Sequence, residues 1–108
     1  MDYLHSKETN ELFTALLKLK TTREARKFLR DLLTEAEIKE FANRWQVVRM
    51  LDKKVPYETI TKKTGMSSTT IARIAKWLHG KIGGYKFMLE RIKNSEKAVA
   101  HHTPLLAE

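Results

Sequence analysis

Between Tyr57 and Leu78 four apolar residues stand at fixed offsets around one glycine, and this spacing limits the chain more than any other feature. Val55-Pro56 breaks the periodicity before it. Proline fits the first turn of a helix, so a short helix is expected over about 56–63. Gly65 is placed to end that helix in a left-handed conformation. A second helix then begins at Ser67 or Ser68 and runs to about Leu78. Short helix, tight glycine turn and second helix make the outline of a helix-turn-helix. With Tyr57 as the first residue, the glycine is ninth. The positions that lock one helix across the other are the fourth, tenth, fifteenth and eighteenth: Ile60, Met66, Ile71 and Ile74, all apolar. The fifth, where the helices approach closely, is Thr61. The eighth is Thr64, where an aliphatic residue is usual.

If Ile71 and Ile74 turn inward, geometry puts Ser67, Ser68, Thr69, Ala72, Arg73 and Lys76 on the outward face. A recognition helix aims its N-terminal part at base edges. Hydroxyls bond donors or acceptors, a Thr or Ala methyl can meet the thymine methyl, and Arg suits guanine. Lys53, Lys54, Lys62, Lys63, Lys81 and Lys86 flank the unit and could contact phosphates. The plainer alternative for the hydroxyl run is helix capping, which needs only one of the four.

The rest of the chain reads as helices, with strand alternation nearly absent. Ser6 can cap a helix over about 7–19, whose apolar Leu12, Phe13, Leu16, Leu17 and Leu19 cover more than one stripe and so imply burial on two sides. Thr21 or Thr22 opens a helix over about 23–32, with Ala25, Phe28, Leu29 and Leu32 at helical spacing. Thr34 and Glu37 form a capping box. The helix it opens, over about 35–53, carries Ile38, Phe41, Ala42, Trp45, Val48 and Leu51 or Asp52 at spacings of three and four and reads as the central scaffold. Trp45 on that stripe is expected in the core. Gly80, Gly83 and Gly84 read as a hinge before a last helix over about 85–93. Residues 1–93 are thus expected as a single domain, with the helix-turn-helix at about 57–78 and a disordered tail at 94–108.

The formal charge of +8 is segregated. Residues 1–52 hold ten Lys/Arg and nine Asp/Glu, whereas residues 53–93 hold ten Lys/Arg against only Glu58 and Glu90. One-sided segregation of this kind favours a polyanion partner. The absence of cysteine removes disulfides, thiolate metal sites and a thiol nucleophile. His5, His79, His101 and His102 have no metal-like spacing with carboxylates, and no nucleophile–base pair or phosphate-cradling glycine loop stands out. No catalytic or metal-binding residue is therefore expected, and the chain reads as a non-enzyme. The opening stretch MDYLHSKETNELF lacks the basic and apolar regions of a secretory signal, and no apolar run approaches a membrane span, so a cytoplasmic location without membrane contact is expected.

Leu33-Thr34, the helix with Asn43-Arg44, Thr64-Gly65 and Thr69-Thr70-Ile71-Ala72-Arg73 resemble the Trp repressor family, and more closely its Trp-repressor-related subgroup of YerC/YecD type. The resemblance covers about residues 10–93. It implies an all-α fold, a Trp-repressor-like helical bundle assembled as an intertwined homodimer. It implies a DNA-binding transcriptional regulator, a repressor reading a near-palindromic operator in double-stranded DNA. By the same resemblance Arg44, Thr70 and Arg73 would be ligand-binding residues. Two positions depart: Ile74 replaces a glycine of the family's ligand pocket and Trp77 a ligand-contacting serine. Both add bulk where an indole would lie, which argues against tryptophan as corepressor. That leaves a self-filled pocket with constitutive DNA binding, or a different small-molecule corepressor of unidentified kind. The alternative to a DNA-binding regulator is a helical interaction module for RNA or a protein partner, although no aromatic row on a sheet is present to stack bases.

Overall fold

The computed structural model of the chain describes the backbone of residues 2–106 and the side-chain surroundings of residues 2–98. All regular structure among the described residues is helical: a 3-10 turn at Asp2–Leu4, then α1 (Lys7–Leu16), α2 (Thr22–Leu32), α3 (Glu35–Asp52), α4 (Tyr57–Thr64), α5 (Ser68–Leu78) and α6 (Gly84–Leu106). The chain clusters into two compact units, residues 1–40 and 41–108, and the division falls inside α3.

In residues 1–40 the helices begin where capping chemistry sets them. Ser6 Oγ accepts from the Thr9 amide at 3.1 Å and Thr21 Oγ1 accepts from the Glu24 amide at 3.1 Å. The capping box at the start of α3 is complete. The Glu37 amide donates to Thr34 Oγ1 at 3.1 Å, and the Thr34 amide donates to Glu37 Oε1 at 2.9 Å. The Thr34 amide, and after it the Thr34 hydroxyl, bond the Glu37 carboxylate and hold that carboxyl below its ordinary value of 4.5. Helix α1 stops at Leu16, short of the expected end near Leu19. The Lys18 and Leu19 amides close tighter bonds onto Ala15 and Leu16 instead. Neither α1 nor α2 buries a residue fully, and Phe13, Leu17, Leu32 and Ile38 are exposed, Leu17 to 84%.

Residues 41–98 build a core of their own. Val47 and Val48 of α3, Ile60 of α4, Ile71, Ile74 and Leu78 of α5, and Leu89 of α6 are buried together, with Trp45, Met66 and Tyr85 packed partly against them. Burial of a large aliphatic side chain stabilises by about 1.5–3 kcal/mol, so Ile60 and Ile71, both fully buried, are major contributors. The stripe expected on α3 is only partly internal. Val47 joins Val48 inside while Ile38 and Phe41 stay exposed, because the core-building helices α4, α5 and α6 pack against the later turns of α3. Trp45 is at the core edge, its ring 6.4 Å from that of Tyr85 and tilted by 40°.

Helix α3 closes through two backbone bonds. The Val55 amide donates to Met50 O at 3.0 Å and the Lys54 amide to Leu51 O at 3.0 Å. This is the Schellman pattern, which needs a left-handed residue, and that residue is Lys54 at φ 64°. The tail expected from Asn94 onward is helical instead, continuing α6 to Leu106. No glycine or proline intervenes between Asn94 and Thr103 to stop it, and the described helix ends two residues after Pro104; residues 107–108 lie outside the described residues.

Candidate nucleic-acid interface

The turn between α4 and α5 fixes which side of α5 faces outward. Gly65 ends α4 at φ 74°, its amide bonded to Thr61 O at 2.9 Å. A Cβ at this position would meet nothing within 4 Å, so the backbone angle, not space, requires glycine. Thr64 explains its departure from the usual aliphatic. Its hydroxyl donates to Ile60 O at 2.8 Å and accepts from the Met66 amide at 3.2 Å, so one side chain clips both sides of the turn. Nothing in the residue spacing foretold that bond pair. Ile60, Ile71 and Ile74 are buried as the spacing predicts, and Met66 is half-buried.

With Ile71, Ile74 and Leu78 inward, the opposite arc of α5 is exposed and presents Ser68, Thr69, Ala72, Arg73 and Lys76. From Thr69 to Lys76 this arc rises about 10 Å at 1.5 Å per residue. The DNA major groove, roughly 12 Å wide, admits a helix of about 10–12 Å diameter. The four hydroxyls divide by position. Ser67 is the cap, accepting from the Thr70 amide at 3.1 Å and donating to Thr70 Oγ1 at 3.0 Å. Thr70 is half-buried and its hydroxyl is engaged with that cap. Ser68 and Thr69 are exposed and carry no side-chain hydrogen bond among the described residues.

The cations divide in a similar way. Lys93 pairs with Asp52 at 2.8 Å, tying α6 to the end of α3, and Arg91 lies over the Phe87 ring at 4.6 Å. The Lys93 pairing was not legible from residue spacing, since it depends on where α6 lies, whereas Phe87 and Arg91 are four residues apart on one helix, a spacing that could have signalled their contact. Lys53, Lys54, Lys62, Lys63, Arg73, Lys76, Lys81 and Lys86 are exposed and hold no ion pair among the described residues.

Ser67 to Thr70, Ala72, Arg73 and Lys76 share one helix and its cap, and Lys62 and Lys63 lie in the last turn of α4 just before the turn. Arg44 lies on α3, exposed and already engaged in polar interactions of its own. A groove bounded by Lys54, Pro56, Tyr57, His79, Lys86 and Glu90 includes none of Arg44, Thr70 and Arg73. Among the described residues no group of three or more His, Cys, Asp or Glu could hold a metal ion, and no helix is long and apolar enough to cross a membrane.

The family model for the Trp repressor protein matches residues 7–93. The chain belongs to the Trp repressor family. It is similar to the uncharacterized protein YerC of Bacillus subtilis (strain 168), at 38% identity over 96 residues, covering 89% of this chain and 92% of that protein. This places it with the YerC-type members of the family. Two solved structures share the fold. One is a TrpR-like protein from Eubacterium eligens ATCC 27750, with TM-score 0.80 and 35% identity, covering 86% of this chain and 96% of that one. The other, from Staphylococcus aureus, was provisionally described as a Trp repressor, with TM-score 0.79 and 33% identity, covering 85% and 92% of the two chains.

Within this family fold the two departing positions separate. Ile74 is 5% exposed and belongs to the core with Ile71 and Leu78. Trp77 is 58% exposed within the chain. Helix geometry gives the reason. Position 74 lies three residues from Ile71 and four from Leu78, on their face, whereas position 77 falls about 100° away from Leu78.

Proposed function

We propose that the chain is a sequence-specific DNA-binding transcriptional regulator, a repressor that reads a near-palindromic operator as a homodimer. The observation that carries this reading is the exposed arc of α5. It presents two unengaged hydroxyls, one methyl and two cations on the side opposite Ile71, Ile74 and Leu78. Helices α4 and α5 with the Gly65 turn serve as the helix-turn-helix. Arg73, Ser68, Thr69 and Ala72 meet base edges, Ser67 caps the helix beside them, and Lys62, Lys63 and Lys76 meet phosphates and the groove wall. The homodimer is supported by residues 1–40, whose exposed Phe13, Leu17, Leu32 and Ile38 need a covering surface. A dimer sets two copies of α5 about one helical turn, roughly 34 Å, apart on DNA.

In this proposal tryptophan is not required. Ile74 fills core space where the family's ligand pocket has glycine, so Arg44, Thr70 and Arg73 are left for a different small molecule or for none. The test is selection of genomic fragments by the purified full-length chain, with and without a metabolite pool containing tryptophan. The proposal expects a small set of fragments bound far above bulk DNA, affinity falling steeply with salt as counterions are released, and no dependence on tryptophan. Equal binding of all fragments, or affinity flat in salt, would point instead to an RNA- or protein-binding module.

A further inference from the structure

The chemistry left exposed on α5 restricts which bases it can read. The helix, STTIARIAKWL, contains no Asn, Gln, Asp or Glu. The paired hydrogen bonds that single out adenine come from Asn or Gln, and cytosine is best recognised by a carboxylate accepting from its amino group. Neither group is available on this helix. Two of the four hydroxyls are also removed from the reading surface, because Ser67 and Thr70 bond each other. What remains is the Ser68 hydroxyl, the hydroxyl and methyl of Thr69, the Ala72 methyl, the Arg73 guanidinium and the Lys76 ammonium, all exposed.

Thr69 and Ala72 are three residues apart and therefore neighbours along one face, about 5–6 Å between their Cβ atoms. Stacked base pairs are 3.4 Å apart along each strand. Two methyls at that separation reach adjacent or next-adjacent steps. The thymine C5-methyl is the apolar feature the major groove offers, and an Ala or Thr methyl is its partner. Arg73, beside Ala72 and four residues past Thr69, carries the planar fork of donors that bonds guanine O6 and N7 together, which the single ammonium of Lys76 lacks.

We infer that α5 specifies each half-site by thymine methyl groups set against Thr69 and Ala72 and by one guanine set against Arg73, and that adenine and cytosine are not read by paired hydrogen bonds. This rests on the DNA-binding reading above and names the bases that site selects.

The test uses the tightest-bound genomic fragment recovered by the selection, with each thymine of the protected region replaced in turn by deoxyuridine, which lacks only the methyl. Affinity should fall about fourfold at each of two positions per half-site, the effect of exposing one buried methyl group. Thr69→Ser removes the methyl and keeps the hydroxyl. It should cause the same loss on the thymine fragment and no further loss where its partner is already deoxyuridine. Replacing the guanine by 7-deazaguanine should weaken the wild-type chain and leave Arg73→Ala unaffected. Circular dichroism of each variant excludes loss of helix as the cause. If every deoxyuridine fragment binds as tightly as the parent, the methyl readout is wrong while the regulator reading stands, since a fragment was still selected. If no fragment is preferred over random DNA, both fall together.

Discussion

Residues 1–40 and residues 41–98 are both helical, yet they solve different physical problems. The first segment carries eight Lys/Arg and eight Asp/Glu, so its net charge is zero, and all of the +8 excess lies beyond it. The first segment buries no side chain fully, whereas the second holds the seven-residue core. The first region has capped, amphipathic helices whose apolar side has no cover of its own. The second has a self-sufficient core whose outer side carries unpaired cations. A helix pattern can therefore be correct in both regions while only one is stabilised by its own contacts. The other is suited to a neighbour, which the proposal identifies as a second copy.

The sharpest way to break this contrast is to empty the core of the second region. Ile71→Ala should destabilise the protein by about 2–5 kcal/mol, read by denaturant unfolding, because Ile71 is fully buried and α5 depends on it. A loss under about 1 kcal/mol would mean that the core does not hold α5 in place. Leu17, by contrast, is 84% exposed in the single chain. Leu17→Asp should cost little in a monomer but should weaken self-association at least tenfold, about 1.4 kcal/mol, in sedimentation equilibrium. An unchanged dimer would remove the role given to the first region.

A smaller effect sharpens the second region. Lys54 occupies a left-handed conformation that favours glycine by about 1–2 kcal/mol. Part of that returns as unfolded-chain entropy when glycine replaces it, so Lys54→Gly should raise stability by up to about 1 kcal/mol in thermal unfolding. It should also reduce the salt slope of DNA binding by about one if Lys54 meets a phosphate. A rise in stability with no change in slope would make Lys54 a bystander of the interface.

The smallest effect belongs to the first region. Glu37 is held below 4.5 by its bonds to Thr34. A depressed carboxyl stabilises fully above 4.5, and that contribution disappears as pH falls through the folded-state value. An NMR titration should give a Glu37 midpoint below 4.5 in the wild type and closer to it in Thr34→Ala. A wild-type midpoint at 4.5 would show that the capping box does not persist in solution.

What could be read from residues alone follows the range of the forces involved. Caps and turns are local, so Ser6, Thr21, the Thr34–Glu37 box, Gly65 and Ser67 were legible as punctuation, and all are used. The inward set Ile60, Ile71 and Ile74 was legible because the offsets around one glycine admit few arrangements. Three features were not. The burial of Val47 depends on where α4, α5 and α6 pack, which period alone does not encode. The continuation of α6 from Asn94 to Thr103 has only the absence of glycine and proline as its signal. The exposure of Trp77 runs against the ordinary habit of a large aromatic, and it follows from that residue's angle on α5 and not from its type. On the candidate interface, residue type and helical angle together marked Ser68, Thr69, Ala72, Arg73 and Lys76 as outward, whereas the withdrawal of the Thr70 hydroxyl into the Ser67 cap needed the hydrogen bonds themselves.

The central claim, that the second region is a sequence-reading surface, is tested most directly by one ratio. The affinity of the full-length chain for its best selected genomic fragment is divided by its affinity for the same fragment scrambled, at physiological salt. A ratio of about 10³ or more, falling sharply in Arg73→Ala, is the predicted result. A ratio near one would contradict the account, since the excess charge would then bind nucleic acid without reading it.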